Sequence, residues 1–265
     1  MELDLEGKAC IVTGASRGIG RATAEALCAE GARVLVVARG KDEVDHAAAA
    51  CRAIGGEAVA ATVDVVASGA AEQLAKRCAA EFGRIDVVVN NAGTSAVRGL
   101  DELTDDDWQA QWQLNVIAPM RLTQVVAPLM AASGGGAIVN VCSSSGRRPS
   151  STNAAYSVTK AAELALTRAQ AAEYGEQGVR INAVAPGPIT SELWLAPGGL
   201  LDQVADRQGV EREQALDAAS ERIPLKRYGT VEEVAAVVVL LCAGRLAPSG
   251  AIWPVDGGHV PVTIS

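Results

Sequence analysis

Short, continuously apolar runs recur along the whole chain: ACIVTG, RVLVVAR, EAVAATVD, IDVVVNNAG, GAIVNVCSS, VRINAVAPG and GAIWPVDGG. They do not alternate polar with apolar, so they fit parallel strands buried on both faces. Between them lie Ala-rich stretches of helical length, such as GRATAEALCAEG and AAEQLAKRCAAEFG, each closing on a glycine at a C-cap position. Strands alternating with helices constrain the chain to an α/β fold: a doubly wound (Rossmann) parallel seven-stranded sheet with helices on both faces. Residues 1–265 form one domain, because no Pro-, Ser- or Gly-rich linker divides them and no internal repeat occurs. Aromatic residues are 3% of a chain that is 49% hydrophobic, so Ala, Val, Leu and Ile must build the core.

Residues 188–227 break the rhythm. They carry helix-forming sequence, LLDQVADRQGVEREQALDAASERI, where a short connection would do. The segment follows a strand end, which is where ligands bind in such sheets. It reads as a lid over a site, the plain alternative being a surface helical insertion.

Charge narrows the partners. The net charge is −8, which disfavours nucleic acid or an anionic membrane surface. A local basic pocket for a small anionic cofactor stays open. Cys10, Cys28, Cys51, Cys78, Cys142 and Cys242 share no metal-type spacing, and most lie in apolar runs, which fits a reducing compartment without disulfides. The N-terminus has no basic-then-apolar signal, and no apolar run approaches the ~18 residues of a membrane span. A soluble cytoplasmic protein is expected. His46 and His259 are isolated, so no metal site is expected.

The first strand runs into TGASRGIGRATAEAL, with Gly14, Gly18 and Gly20 at the strand–helix turn. Glycine there lets the backbone approach a pyrophosphate, and the helix start supplies free N–H groups. The spacing is G-x-x-x-G-x-G rather than G-x-G-x-x-G, and its position between first strand and first helix gives it weight. The second strand ends VLVVARG. In adenine dinucleotide sites an acidic residue at this point bonds the ribose 2′-OH and favours NAD. Here Ala38 stands in that place, Arg39 follows, and Arg17 lies in the glycine turn. Two guanidiniums without a carboxylate favour a 2′-phosphate, hence NADP(H) over NAD. The alternative is that both arginines are merely solvated.

These residues, taken in order, resemble the short-chain dehydrogenase/reductase family. TGASRGIG, NNAG at 90–93, Asn115 in QLNV, Ser143 in VCSSSG, YSVTK at 156–160, PGPIT at 186–190 and VDGG at 255–258 match its motifs over essentially the whole chain. The resemblance implies an oxidoreductase that moves a hydride between nicotinamide and a ketone or secondary alcohol. It implies Tyr156 as general acid/base, Lys160 as ribose ligand and as the cation favouring the phenolate, and Ser143 on the substrate oxygen. Asn115 would hold a water in a proton relay. Asp64 would bond the adenine amino group, with Val65 beside it. Asn91, Ala92 and Gly93 would pack by the adenosine, and Ile189 and Thr190 would bind the carboxamide. Ser16, Ile19, Pro186 and Gly187 complete the implied cofactor-binding set. Cys142 stands where another serine is common, one place off the catalytic register, and reads as a packing residue. PSGAIWPVDGG lacks the usual Thr-Gly, which bears only on local packing.

The chemistry is consistent with the residue types. A phenol titrates near 10 in water, too high for work at neutral pH. A lysine four residues on shares the helix face, and its cation favours the phenolate. Charge grows on the carbonyl oxygen as hydride arrives, so donors must meet it there. The plain alternative for Tyr156 is a half-buried helical aromatic, and for Ser143 a turn serine among Ser143, Ser144 and Ser145. Thr104 looks like an N-cap followed by three aspartates. Trp108 and Trp112 look like one apolar stripe for packing or a subunit interface, and Asn115 falls on the Trp108 face and is expected to be buried.

Substrate identity is less legible. Leu193, Trp194, Leu195, Leu200 and Leu201 point to an apolar pocket roof, so a moderately sized apolar ketone or alcohol is preferred. Arg147 and Arg148 read as a solvated pair rather than an anchor for an anionic tail. Relatives that reduce carrier-protein thioesters have basic residues at the docking surface, whereas the aligned positions here are Gly134 and Gln177. Family members are commonly homotetramers or homodimers, and the tail HVPVTIS fits an interface. Rival readings are an NAD-dependent alcohol dehydrogenase, a 3-oxoacyl thioester reductase, a lyase or isomerase on the same scaffold, and a non-redox sensor.

Overall fold

The computed structural model describes residues 2–261. Each apolar run is a strand: β1 (Ala9–Thr13), β2 (Arg33–Ala38), β3 (Glu57–Thr62), β4 (Val87–Asn90), β5 (Gly136–Val141) and β6 (Val179–Pro186). Two-residue strands β7 (Ile189–Thr190) and β8 (Gly229–Thr230) pair with each other, and β9 (Ile252–Val255) completes the main sheet. The 7-stranded order is β3-β2-β1-β4-β5-β6-β9, parallel throughout.

The helices between them are α1 (Gly18–Ala29), α2 (Lys41–Ala53), α3 (Ala70–Phe82), α4 (Asp105–Trp112), α5 (Ala118–Ala132) and α6 (Ala154–Tyr174). α7 (Glu192–Leu195), α8 (Leu200–Gln208), α9 (Arg212–Glu221) and α10 (Val231–Cys242) follow. Strand residues split by parity between two cores. Cys10 and Val12 join Leu27, Val44 and Val238 on one face, while Ala9 and Ile11 join Leu74, Val126 and Met130 on the other. This division is why the runs are apolar without alternation. Glycine closes α3 as expected, with Gly83 left-handed at φ 78°.

Strand order reverses between β1 and β4. The chain winds outward to β3 and then returns to the other side of β1, leaving a crevice at the carboxyl ends of β1 and β4.

Thr104 caps α4, accepting the Asp107 N–H at 3.3 Å while the Asp107 carboxylate accepts the Thr104 N–H at 3.0 Å. A π-helical segment, Gln113–Ile117, joins α4 to α5. The tryptophans do not form one packed stripe: Trp108 is half-buried and Trp112 is 39% exposed. The continuous helix Asp105–Ala132 is long and apolar enough by composition to cross a membrane, which the sequence reading did not anticipate; it is the one such helix among the described residues. Its apolar face, with Leu122, Val126, Ala127 and Met130, packs on the sheet.

Residues 188–227 hold β7 and then, as expected, helices: α7, α8 and α9. All six cysteines are free and buried. Of the tail HVPVTIS, residues 262–265 lie outside the described residues.

Candidate active site

The crevice begins with the glycine turn. A Cβ at Gly14 would stand 2.7 Å from Ala92 Cα, and one at Gly20 would overlap Asn91 Nδ2 and the Gly14 carbonyl. No side chain fits at either place. Asn91 Nδ2 donates to the carbonyls of Thr13 (2.9 Å) and Gly14 (3.0 Å). The Thr13 hydroxyl accepts the backbone N–H groups of Asn91 (3.0 Å) and Ala92 (3.1 Å). TGASRGIG and NNAG are thus one structure, built across the β1–β4 switch point.

α1 starts at Gly18 with Arg17 as N-cap, and the Arg17 side chain makes no capping bond. Ser16 is half-buried, Ile19 packs on the core, and the first turn points into the crevice end, an arrangement suited to a phosphate. Arg17 and Arg39 are both exposed and form no ion pair among the described residues. Asp64 and Val65 follow the end of β3 and are half-buried; Asp64 Oδ1 accepts the Val66 N–H at 3.2 Å. These residues fit a nicotinamide adenine dinucleotide.

The other half comes from β5, the π segment and α6. Tyr156 is half-buried in the first turn of α6, and Lys160 Nζ lies 5.8 Å from its ring centroid. Lys160 is 3% exposed and donates to the Val141 carbonyl at 2.9 Å, the last residue of β5. Ser143 follows two residues later, 8% exposed, and its Oγ accepts the Ser145 N–H at 3.1 Å. The turn Ser144–Gly146 packs directly on α6, since a Cβ at Gly146 would lie 2.7 Å from the Lys160 carbonyl carbon. Asn115 is fully buried. Its Nδ2 donates to Gln111 Oε1 (2.7 Å) and Thr159 Oγ1 (3.0 Å), and its Oδ1 has no partner. A Cβ at Gly93 would meet that Oδ1 at 3.5 Å and Lys160 Nζ at 3.8 Å, so both polar atoms converge beside Gly93. An unpartnered buried carbonyl oxygen is where a water belongs.

At the mouth, the Gly187 N–H donates to Val255 at 3.0 Å, following Pro186 at the end of β6. Ile189 is buried, and Thr190 Oγ1 donates to the Gly229 carbonyl at 3.1 Å.

Two expectations change here. Leu200 and Leu201 are buried, with Leu201 in a small core with Ala205 and Ala215 that Trp194 and Leu195 pack against. Trp194 also meets Tyr228 edge-on, with centroids 5.6 Å apart. Leu201, Trp194 and Leu195 thus pack within the inserted segment, and Leu193 is half-buried. Arg147 is half-buried rather than solvated, and donates to the Pro261 carbonyl at 3.4 Å.

The sequence reading missed Glu163. Its carboxylate sits 2.7 Å from Lys160 Nζ, and both side chains are buried. The signal was an acidic residue three places after the lysine. Burial disfavours the Lys160 ammonium more than any other single influence, but the Glu163 carboxylate, together with Tyr156 and Cys142, raises the lysine pKa. Burial pushes the Glu163 carboxyl up against the pull of Lys160. Burial likewise raises the Cys142 thiol, which lies beside the pair.

Residues 8–196 match the model of the short chain dehydrogenase family. The chain is 37% identical to a 3-oxoacyl-[acyl-carrier-protein] reductase of Synechocystis, covering 97% of this chain and 98% of that one. Its structure is similar to that of L-sorbose reductase from Gluconobacter frateurii, complexed with NADPH and L-sorbose, with TM-score 0.92 and 32% identity over 99% of this chain and 100% of that one. It is similar also to a 7α-hydroxysteroid dehydrogenase complexed with NADH, with TM-score 0.87 and 30% identity over 98% of this chain and 96% of that one.

Proposed function

The chain belongs to the short-chain dehydrogenase family, and from that premise we propose that it is an NADP(H)-dependent oxidoreductase acting on a ketone or secondary alcohol of moderate size. The observation that carries the reading is the convergence of Lys160 Nζ and Asn115 Oδ1 beside Gly93, with the Tyr156 ring centroid 5.8 Å from that lysine nitrogen.

NADPH, when bound, supplies the hydride. The chain supplies the rest. Tyr156 donates a proton to the carbonyl oxygen in reduction and withdraws it in oxidation. Ser143 donates a hydrogen bond to the same oxygen as negative charge grows there. Lys160, buried with its Nζ 5.8 Å from the Tyr156 ring centroid, sets a positive charge beside the phenol and bonds the nicotinamide ribose. The unpartnered Asn115 Oδ1 holds a water for the proton relay. Gly14, Gly18 and Gly20 admit the pyrophosphate, and Asp64 and Val65 meet the adenine. Ile189 and Thr190 orient the carboxamide, and residues 188–227 act as a lid. Arg17 and Arg39 take the 2′-phosphate, with Ala38 in place of a competing carboxylate.

A polar substrate such as a sugar ketone is the second reading. Leu201, with Leu195 and Trp194 against it, packs in the inserted segment's own core, and a sorbose reductase shares the architecture. The buried free cysteines support a reducing compartment, and exposed Trp112 and Val158 on α4 and α6 support a subunit interface.

Fluorescence titration with NADPH and NADH tests the cofactor. NADPH should bind tighter, and Arg39→Ala should weaken NADPH by about tenfold while sparing NADH. Tighter NADH binding by the unaltered protein would overturn the 2′-phosphate assignment. Tyr156→Phe should bind NADPH normally and lose turnover by about 100-fold or more.

A further inference from the structure

Glu163 lies outside the family motifs, yet it is 2% exposed and is the carboxylate that faces Lys160 among the described residues. A buried ion pair rarely adds stability over apolar side chains of the same volume, so stability is a poor account of it. The surroundings are otherwise uncharged. Tyr156 faces the lysine from α6 itself and Asn115 from the π segment. From β5 come the Val141 carbonyl and the Cys142 thiol, which burial keeps neutral. Thr13 of β1, Asn90 of β4, Leu114 of the π segment and Ala118 of α5 line a cavity of about 20 Å³ with Glu163. That is room for about one water.

A lysine this deep loses its proton readily unless a negative charge holds it. The hydrogen bond to Val141 orients the ammonium but does not compensate its charge. We propose that Glu163 is a positioning residue: the internal counter-ion that keeps Lys160 protonated and aimed, and so keeps the Tyr156–Lys160 pair competent for proton exchange. Its consequence for turnover rests on the oxidoreductase reading above; the charge state of Lys160 does not.

The experiment is an NMR titration of the full chain labelled with 13C-lysine, with no cofactor or substrate added. Lys160→Met assigns the signal, and exposed Lys76 and Lys226 serve as internal references. In the unaltered protein Lys160 should hold its proton to higher pH than those references. In Glu163→Gln, which keeps the shape and an acceptor, its midpoint should fall below theirs, a drop of about two pH units or more. Glu163→Asp should recover part of the drop. A Lys160 midpoint at or below the references in the unaltered protein overturns the proposal, whether or not Glu163→Gln folds. So does an unchanged midpoint in a folded Glu163→Gln, checked by near-ultraviolet circular dichroism. If the lysine behaves as expected but Tyr156-dependent turnover is absent, the oxidoreductase reading fails and the counter-ion stands.

Discussion

The hydroxyl of Thr13 lies 3.0 Å from the backbone nitrogen of Asn91, and the same oxygen accepts the next N–H, from Ala92. It also donates to the Val89 carbonyl at 3.3 Å. One side chain at the end of β1 therefore fastens the strand that carries the glycine turn to the strand that carries NNAG. Replacing it with valine keeps the volume and leaves two part-buried N–H groups unmatched. We expect Thr13→Val to lose about 2–4 kcal/mol of unfolding free energy. A urea curve should show a lower midpoint at unchanged slope, and Thr13→Ser should restore most of the loss.

The glycines of the turn differ in why they are glycine, and substitutions should separate them. Gly18 has φ +56°, with its nearest side-chain atom 3.6 Å from a built Cβ, so alanine fits the space and strains only the backbone. That costs about 1–2 kcal/mol. Gly20 has an ordinary φ, but its Cβ would overlap Gly14 and Asn91, which form the wall of the turn. Overpacking there costs about 3 kcal/mol and shifts the backbone of the turn. Gly20→Ala should lose NADPH affinity in fluorescence titration by more than Gly18→Ala does. Equal losses would show that the turn relaxes around the new methyl group.

The strands were legible because burial on both faces writes an uninterrupted apolar run. The glycine turn was legible because close approach admits one residue type. The Asn115 environment was legible only in part. Its burial follows from helical spacing, but Trp112, expected on the same apolar stripe, is exposed, and no local signal marks the π segment Gln113–Ile117. Glu163 escaped because an acidic residue three places from a lysine usually means a solvated helix pair. Its burial depends on β5 bringing the Val141 carbonyl to Lys160, a contact between distant parts of the chain. Leu195 and Leu201 looked like part of a roof because sequence shows apolarity without direction.

Glu233 gives the mouth of the site an acid sensitivity. Its carboxylate pairs with Arg227 and accepts the Thr230 N–H at 2.9 Å, and these contacts lower its pKa to about 2. Thr230 caps α10 and sits in β8, whose Gly229 carbonyl holds Thr190. A depressed carboxylate contributes stability that is complete above its unfolded value near 4.5 and is lost as pH falls towards the folded value. Melting temperature should therefore decline below about pH 4.5. Glu233→Gln should melt lower than the unaltered protein at pH 7, with the gap closing on acidification. A constant gap would assign the effect to packing.

The inserted segment is fastened to the loop after β4 by two contacts of unequal strength. Gln203 Oε1 accepts the part-buried Val97 N–H at 2.9 Å, and Arg207 meets Glu102 at 2.7 Å with both side chains well exposed. An exposed ion pair is worth about 0–1 kcal/mol, whereas stranding a part-buried N–H costs about 1–3 kcal/mol. Removing Gln203 should thus open α8 more often than removing Arg207. Hydrogen exchange can read this directly at the Val97 amide and along Leu200–Gln208. Gln203→Ala should speed exchange there by about tenfold or more, and Arg207→Ala by about fivefold at most, with salt erasing the second effect. If Arg207→Ala proves the larger, the segment is held by charge rather than by the buried amide. Its opening in the unaltered protein should then rise with ionic strength.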